Sequence, residues 1–140
     1  MSTVLTNHEL QAINLLERNT GAQAKDAVFT DSTIIFVVKT GDLGKAIGKQ
    51  GRNIAALKRI FSKEIQVVEE AGELSSFVSN LFYPAQVIET KENLFESKKV
   101  LLVKVDSKSK GLAIGNGGEK IKRARLLLKR HYSIDDVKII

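Results

Sequence analysis

The feature that most constrains the fold of this chain is an internal repeat at a distance of 67 residues. Sliding the sequence against itself by that distance, without a gap, places TIIFVVKTGDLGKAIGKQGRNI over VLLVKVDSKSKGLAIGNGGEKI. Both segments contain an Ile-Gly-x-x-Gly motif, as IGKQG in the first and IGNGG in the second. An ordered repeat of this kind predicts one structural unit used twice. The identical pairs are Val38 and Val105, Gly44 and Gly111, Ala46 and Ala113, Ile47 and Ile114, Gly48 and Gly115, Gly51 and Gly118, and Ile54 and Ile121.

Hydrophobic periodicity predicts the elements of the first half. Apolar residues at helical spacing favour a first helix that stops at Gly21, a residue type common just after helix ends. Two runs rich in β-branched residues follow and predict strands. The predicted elements are helix 8–21, strands 24–30 and 33–40, short helix 41–47, loop 48–51, a basic amphipathic helix, and strand 64–70.

The second half predicts the same order. Its first helix should end before Pro84, because the residue preceding a proline disfavours helical geometry. The predicted elements are helix 73–82, strands 85–92 and 98–106, short helix 108–114, loop 115–118, helix 119–132 and strand 135–140. We therefore predict an α+β fold with the order α-β-β-α-α-β twice, in domains 1–71 and 72–140. The six phenylalanines lie in apolar runs and are candidates for the cores: Phe29, Phe36, Phe61, Phe77, Phe82 and Phe95.

Positive charge is concentrated in two segments of this chain, whose net charge is +6. Residues 42–63 contain six Lys or Arg and one acid, and residues 108–131 contain eight and one. The segments therefore carry +5 and +7, and the remainder carries −6. Basic charge focused around each Gly motif favours a polyanionic partner. A pair of solvated basic helix faces is the plainer interpretation, which suits a single segment better than a repeated one.

A Gly-x-x-Gly loop that opens a helix is suited to binding phosphate. Glycine lets the backbone turn tightly and approach a ligand, and the first N–H groups of the following helix are unpaired and lie at its positive dipole end. The flanking Ile47 and Ile54, like Ile114 and Ile121, could line an apolar groove beside the loop. Phosphates on one side and bases on the other would suit a single-stranded nucleic acid.

Two other phosphate-binding motifs do not match. A P-loop needs four residues between its glycines and then Lys-Ser/Thr, whereas Gly44 and Gly48 enclose three, and Lys49 precedes Gln50. The glycines of the second loop do not form the G-x-G-x-x-G pattern of dinucleotide-binding proteins. A nucleotide-dependent enzyme is therefore disfavoured.

Nothing in the sequence assembles a catalytic or metal site. There are no cysteines, and His8 and His131 stand far apart without an acid or serine pattern around them. The adjacent Asp135 and Asp136 are more typical of a turn than of a metal site. We expect no enzyme activity, no cofactor and no metal. The absence of a signal-like or membrane-length apolar segment leads us to expect a cytoplasmic protein without a membrane partner.

The I-G-x-x-G turn between two helices, after two strands and before a third, resembles the KH domain, whose GXXG loop clamps backbone nucleotides. The position of helix and strands ahead of the loop resembles the type II version, and GDLGKAIGKQGRNIAALKRIF is close to its signature. Two such units and the LFYPAQV segment between them resemble the archaeal NusA-like transcription factors. The resemblance implies two tandem type II KH domains, each a three-stranded mixed sheet packed with helices, and a role in transcription elongation, termination or antitermination.

The resemblance also implies which residues contact RNA. In the first unit they are Lys45, Ile47, Gly48, Lys49, Gln50, Gly51, Arg52 and Ile54. In the second they are Ile114, Gly115, Asn116, Gly117, Gly118, Lys120, Ile121, Lys122 and Arg125.

The second loop differs from the first in its charge. Its variable positions are Asn116 and Gly117, without a basic side chain, and Glu119 stands where the first unit has Arg52. We expect it to bind phosphate more weakly, with Lys122, Arg125 and Lys129 compensating from one helix face.

Three functions stay open at this point. The first is a single-stranded RNA-binding transcription factor, a monomer that could also contact RNA polymerase. The second is a ribosome-associated or rRNA-binding KH protein, which differs in partner and not in chemistry. The third is a protein-interaction module whose Gly turns are purely structural, which the concentrated basic charge disfavours.

Overall fold

The computed structural model describes residues 5–140, and they divide into two compact units. The first ends at Ala71 and the second is Gly72–Ile140. The elements of the first unit are α1 (Asn7–Thr20), β1 (Ala24–Phe29), β2 (Thr33–Val38), α2 (Leu43–Ile47), α3 (Arg52–Phe61) and β3 (Glu64–Glu69), with a 3-10 turn at Lys49–Gly51.

Helix α1 is bounded by caps at both ends. The Thr6 side chain accepts a hydrogen bond from the Glu9 N–H, and the Glu9 carboxylate accepts one from the Thr6 N–H. This capping box satisfies N–H groups that the first turn leaves unpaired. Gly21 then takes a left-handed conformation and ends the helix, as predicted from the sequence.

The first sheet has the order β1-β2-β3, with β2 antiparallel to β1 and parallel to β3. The parallel pairing requires a crossover, which α2, the Gly loop and α3 provide. The short α2 packs against both α3 and β3, and the loop that joins the two helices stays at the surface. The buried core contains Ala12, Ile13, Leu16, Ala22, Ala27, Ile34, Phe36, Val38, Ala46, Leu57 and Ile65.

The second unit contains the same elements in the same order. They are α4 (Leu74–Phe82), β4 (Val87–Phe95), β5 (Lys98–Val105), α5 (Lys110–Ile114), α6 (Glu119–Tyr132) and β6 (Asp136–Ile139), with 3-10 turns at Ser107–Ser109 and Asn116–Gly118. The topology is also repeated, with β5 antiparallel to β4 and parallel to β6. Phe77, Phe82 and Leu81 of α4 are buried, and α4 packs against α6.

The prediction of an α+β fold built on three-stranded mixed sheets is confirmed. Two details differ in the β4–β5 hairpin. Strand β4 was predicted to end at residue 92 but continues to Phe95, where a turn at Glu96 and Ser97 leads directly into β5. Phe95 was predicted in the core, and this is wrong, because its position at the hairpin tip leaves it 61% exposed. Of the other predicted core phenylalanines, Phe36 is buried in the first unit, and Phe29 and Phe61 are half-buried against the core of that unit.

None of the helices within residues 5–140 is both long and apolar enough to cross a membrane.

Candidate nucleic-acid interface

The first Gly loop turns the chain between α2 and α3 by using two glycines in conformations that other residues rarely adopt. Gly48 ends α2 at φ 76° and ψ 169°, and its N–H donates to the Gly44 carbonyl oxygen at 2.8 Å. Gly51 has φ 75° and ψ 15°, and its N–H donates to the Gly48 carbonyl oxygen at 3.1 Å. An L side chain at either position would be strained. The glycine spacing is therefore fixed by the backbone of the turn.

Gln50 lies between these glycines in the left-handed region, at φ 55° and ψ 30°. The equivalent residue of the second loop is Gly117, at φ 60° and ψ 21°. The left-handed conformation costs an L residue roughly 1–2 kcal/mol. The first loop therefore carries a backbone cost at this position that the glycine of the second loop avoids.

Asn53 links the two sides of the first loop. From the first turn of α3 its Nδ2 donates to the carbonyl oxygen of Lys45, in α2, at 2.7 Å. A Cβ added to Gly48 would lie 2.7 Å from Asn53 Cγ and 2.8 Å from the Asn53 backbone nitrogen. The absence of a side chain at Gly48 thus makes room for Asn53. Sequence reasoning missed Asn53, although the repeat places it opposite Lys120, a difference that could have drawn attention to it.

The exposed cations of the first loop are mostly unpaired. Lys49 and Arg52 are exposed and make no ion pair within residues 5–140. The Lys45 ammonium lies 3.8 Å from Asp42 Oδ1, and 63% of the Lys45 side chain stays exposed. Pairing this exposed is worth little in water. All three cations can therefore be offered to an anion.

An apolar strip borders the same loop. Ile47, the last residue of α2, is 37% exposed, and Ile54 in the first turn of α3 is half-buried against the core.

The start of α3 is uncapped, since no side chain in the described part of the chain accepts a hydrogen bond from its first N–H groups. Unpaired N–H groups at a helix start attract anions. The first unit thus brings together the uncapped start of a helix, exposed cations and apolar surface, all from residues 45–54.

The second loop has the same backbone. Gly115 ends α5 at φ 79° and ψ 175°, and Gly118 precedes α6 at φ 75° and ψ 19°. The Gly118 N–H donates to the Gly115 carbonyl oxygen at 3.2 Å. Ile114 beside it is 43% exposed, and Ile121 is half-buried. The turn geometry is thus repeated even though the side chains at its variable positions differ.

The electrostatics around the second loop are different. Burial, and then the positive charge of Arg123, lower the pKa of Lys120, while the Glu119 carboxylate raises it. Arg123 is itself turned inward, where its guanidinium donates to the Leu81 carbonyl oxygen and burial lowers its pKa. Lys122 is exposed and makes no ion pair among the residues described. Lys122 is therefore the freest cation beside this loop.

The other two basic residues expected to assist the second loop are held in ion pairs. Arg125 Nε donates to Asp136 Oδ1 at 3.0 Å, and Lys129 Nζ donates to Asp135 Oδ1 at 2.6 Å. The first unit has a comparable pair, since Lys58 lies 3.1 Å from Glu64 at the start of β3. These pairs connect the long helix of each unit to its last strand. A contact of Arg125 with RNA stays a prediction.

Residues 5–140 contain no group of three or more His, Asp or Glu side chains arranged to hold a metal ion.

The sequence and the structure of this chain are similar to those of known proteins. The family model for the KH domain matches residues 13–72. A protein of Halococcus morrhuae called "Probable transcription termination protein NusA" is 35% identical, over 99% of this chain and 99% of its own length. A protein of the same name from Methanocaldococcus jannaschii is 31% identical over 97% of this chain and 74% of its own length. The crystal structure of APE1850 superposes with a TM-score of 0.90 at 34% identity, over 97% of this chain and 100% of that one.

Proposed function

Since this chain belongs to the family of archaeal NusA proteins and carries a KH domain, we propose that it is a single-stranded RNA-binding factor acting in transcription. The observation that carries the proposal is the first Gly loop. Residues 48–52 contain a turn of backbone N–H groups, the uncapped start of α3 and two unpaired cations, Lys49 and Arg52. Such a combination matches the phosphates of a nucleic acid backbone.

We propose further that the chain is two tandem type II KH domains, at residues 1–71 and 72–140. The family model covers only the first of them. Support for the second comes from its strand pairing, its α-β-β-α-α-β order and the φ values of its Gly loop, all of which repeat those of the first.

In the proposed complex, a phosphate lies at the start of α3 against the N–H groups of Lys49 and Gln50, since those of Gly51 and Arg52 already donate to the carbonyl oxygens of Gly48 and Lys49. Lys49, Arg52 and Lys45 add positive charge around it, and Gln50 donates from its side-chain amide. Bases lie over Ile47 and Ile54, whose exposed surface they cover. RNA recognition by KH domains through a GXXG loop follows this general scheme.

The second loop binds by the same turn at residues 115–118, but with less charge. Lys120 and Lys122 supply it, and bases lie over Ile114 and Ile121. Arg125 can contribute only in competition with Asp136, to which it is paired. We therefore propose that the second loop is the weaker of the two.

The experiment is RNA binding by the double variant Lys49→Asp/Gln50→Asp. It places two carboxylates where phosphate would lie, and aspartate tolerates the left-handed conformation at position 50. Losing one hydrogen bond to a charged group costs about 1.5–3 kcal/mol, so affinity for a labelled single-stranded RNA library should fall at least about tenfold. Wild-type binding should also weaken steeply with salt.

Two matched variants complete the test. Lys91→Asp/Asn93→Asp makes the same change in charge on strand β4, and its affinity should stay close to that of the wild type. Asn116→Asp/Gly117→Asp alters the second loop and should cost less than the first-loop variant. Equal losses in the β4 variant and the first-loop variant would show a diffuse charge effect and would sink the loop assignment.

Association with RNA polymerase is tested by a separate experiment. The purified chain is mixed with RNA polymerase or with ribosomal subunits from the same organism and analysed by sedimentation. Co-sedimentation with polymerase supports a transcription factor, whereas co-sedimentation with ribosomal subunits alone would move the function to rRNA binding. The same sedimentation shows whether the chain is a monomer, as we propose.

A further inference from the structure

We propose that Asn53 is a positioning residue, which holds the first Gly loop in its phosphate-binding shape, and that Lys120 deprives the second loop of the same brace. The inference rests on the proposed RNA-binding function. Asn53 carries no charge, so its part is to fix the geometry of the turn through the hydrogen bond to Lys45.

The hydrogen bond from Asn53 closes a ring around the loop. The Lys45 carbonyl would accept from the N–H of residue 49 if α2 continued, but α2 ends at Ile47 and the chain turns away at Gly48. Asn53 Nδ2 supplies a hydrogen to that carbonyl at 2.7 Å. Residues 46–52 are thereby enclosed between two points that are fixed to each other. The backbone N–H groups of the loop are held in place before a ligand arrives.

The fit between Asn53 and Gly48 makes the brace specific. The Asn53 side-chain amide occupies the space where a side chain at position 48 would stand, with contacts of 2.7–2.8 Å to the missing Cβ. A side chain larger than asparagine at position 53 would not fit in this space beside Gly48. Asparagine is short enough to reach the Lys45 carbonyl across this gap.

Within residues 5–140, no side chain makes the corresponding bond in the second loop. By the repeat, Lys120 stands at the position of Asn53, and Leu112 stands at the position of Lys45. A Cβ on Gly115 would meet the Lys120 Cγ and backbone nitrogen at 3.1 Å, so this end of the loop is packed less closely. Lys120 has no side-chain amide, and among the residues described it makes no hydrogen bond to the Leu112 carbonyl oxygen. The two loops therefore share a backbone shape, but among the residues described only the first has a hydrogen bond from this position to the preceding helix.

The hydrogen bond from Asn53 to Lys45 should increase the affinity for RNA by ordering the loop before RNA binds. A loop that must be ordered when RNA binds loses affinity by the cost of the ordering, and a brace in the free protein removes that cost. A net hydrogen bond contributes about 0.5–1.5 kcal/mol, which corresponds to a factor of about 2 to 10 in affinity. Substitution of Asn53 should produce a loss within this range.

The first measurement is made on Asn53→Ala without RNA. Amide hydrogen exchange of residues 49–52 should become faster by about the same factor, while exchange in the sheet stays unchanged. With RNA, affinity should fall by about 2- to 10-fold, and the salt dependence should keep its slope because the number of phosphates bound is the same. A purely structural asparagine would change the unfolding midpoint but would leave both loop exchange and affinity as they are.

The second measurement tests whether an asparagine introduced at position 120 increases the RNA affinity of the second loop. In the Lys49→Asp/Gln50→Asp background, Lys120→Asn should bind RNA about 2- to 10-fold more tightly than Lys120→Ala, which makes the same change in charge. The introduced amide would donate to the Leu112 carbonyl oxygen and slow the exchange of residues 116–119.

The outcomes separate this inference from the proposed function. Unchanged loop exchange in Asn53→Ala, or equal affinities for Lys120→Asn and Lys120→Ala, would overturn the positioning role. A wild-type protein that binds no RNA would overturn the proposed function instead. In that case, the exchange measurement still decides whether Asn53 braces the loop.

Discussion

Substitution of Gly48 by alanine tests whether the first loop is built as described. The backbone of Gly48, at φ 76° and ψ 169°, lies in a region that is essentially restricted to glycine and costs other residues about 1–3 kcal/mol. The added Cβ would also lie 2.8 Å from the Asn53 backbone nitrogen, which cannot swing aside as a flexible side chain can. With the hydrogen bond to Lys45 displaced as well, we expect a loss of at least about 3 kcal/mol in the free energy of unfolding.

Two neighbouring glycines provide the scale for this loss. Gly51→Ala introduces a left-handed alanine into open space, which should cost about 1 kcal/mol after the smaller entropy of the unfolded chain is counted. Gly44→Ala lies in α2 with ordinary backbone angles and open space, and should stabilise by about 0.5–1 kcal/mol. The three variants are thus expected to differ in sign as well as in size.

Guanidinium unfolding of the full chain measures these differences. Both tyrosines, Tyr83 and Tyr132, lie in the second unit, so tyrosine fluorescence follows that unit while circular dichroism follows both. The Gly48→Ala loss should appear in dichroism before fluorescence changes, if the units unfold separately. A Gly48→Ala protein within about 1 kcal/mol of Gly51→Ala would refute the close approach of Asn53 to Gly48.

Two further variants test the strain and the charges around the loops. Gln50→Gly should stabilise the first unit by up to about 1 kcal/mol, because it relieves the left-handed conformation, and should weaken RNA binding; a stabilised variant with full affinity would show that the Gln50 side chain has no role. The hydrogen bond from Lys129, followed by that from the Lys99 N–H, lowers the pKa of Asp135 below its ordinary value of 3.8. A lowered folded-state pKa contributes stability above the unfolded pKa that is lost as pH falls through the folded one, so the second unit should weaken below about pH 4. Asp135→Asn should remove this part of the pH dependence, and an unchanged acid profile in urea unfolding would contradict the assignment.

The elements that the sequence predicted well are those with local causes. Helix α1 stops at Gly21 because a left-handed residue is needed there, and α4 ends at Phe82, ahead of Tyr83 and Pro84. The two Gly loops were located because they align with each other when the sequence is compared with itself. Both loops lie between a short and a longer helix, as the helical spacing of apolar residues predicted.

The misses have tertiary causes. The apolar run containing Phe95 looks like core material, yet its position depends on how far the hairpin continues beyond the body of its sheet. The ion pair of Arg125 was also missed, since Asp136 at the start of β6 lies 3.0 Å from it, whereas the expected contact of Arg125 with RNA stays a prediction. No pattern along α6 reveals that neighbour, since the two residues meet only when strand and helix pack together.

The sequence by itself determined that this protein is one α-β-β-α-α-β unit used twice, with a Gly-x-x-Gly turn and a basic helix in each. That much follows from backbone preferences and periodicity, which act over a few residues. The difference in charge between the two turns was also visible in the sequence, but only the tertiary structure decided that a side chain ties the first turn to the preceding helix. Asn53 reaches Lys45 across the first loop because two helices fold back on each other, whereas Lys120 occupies that position in the second. Such a contact depends on distances through space, which a single sequence does not record.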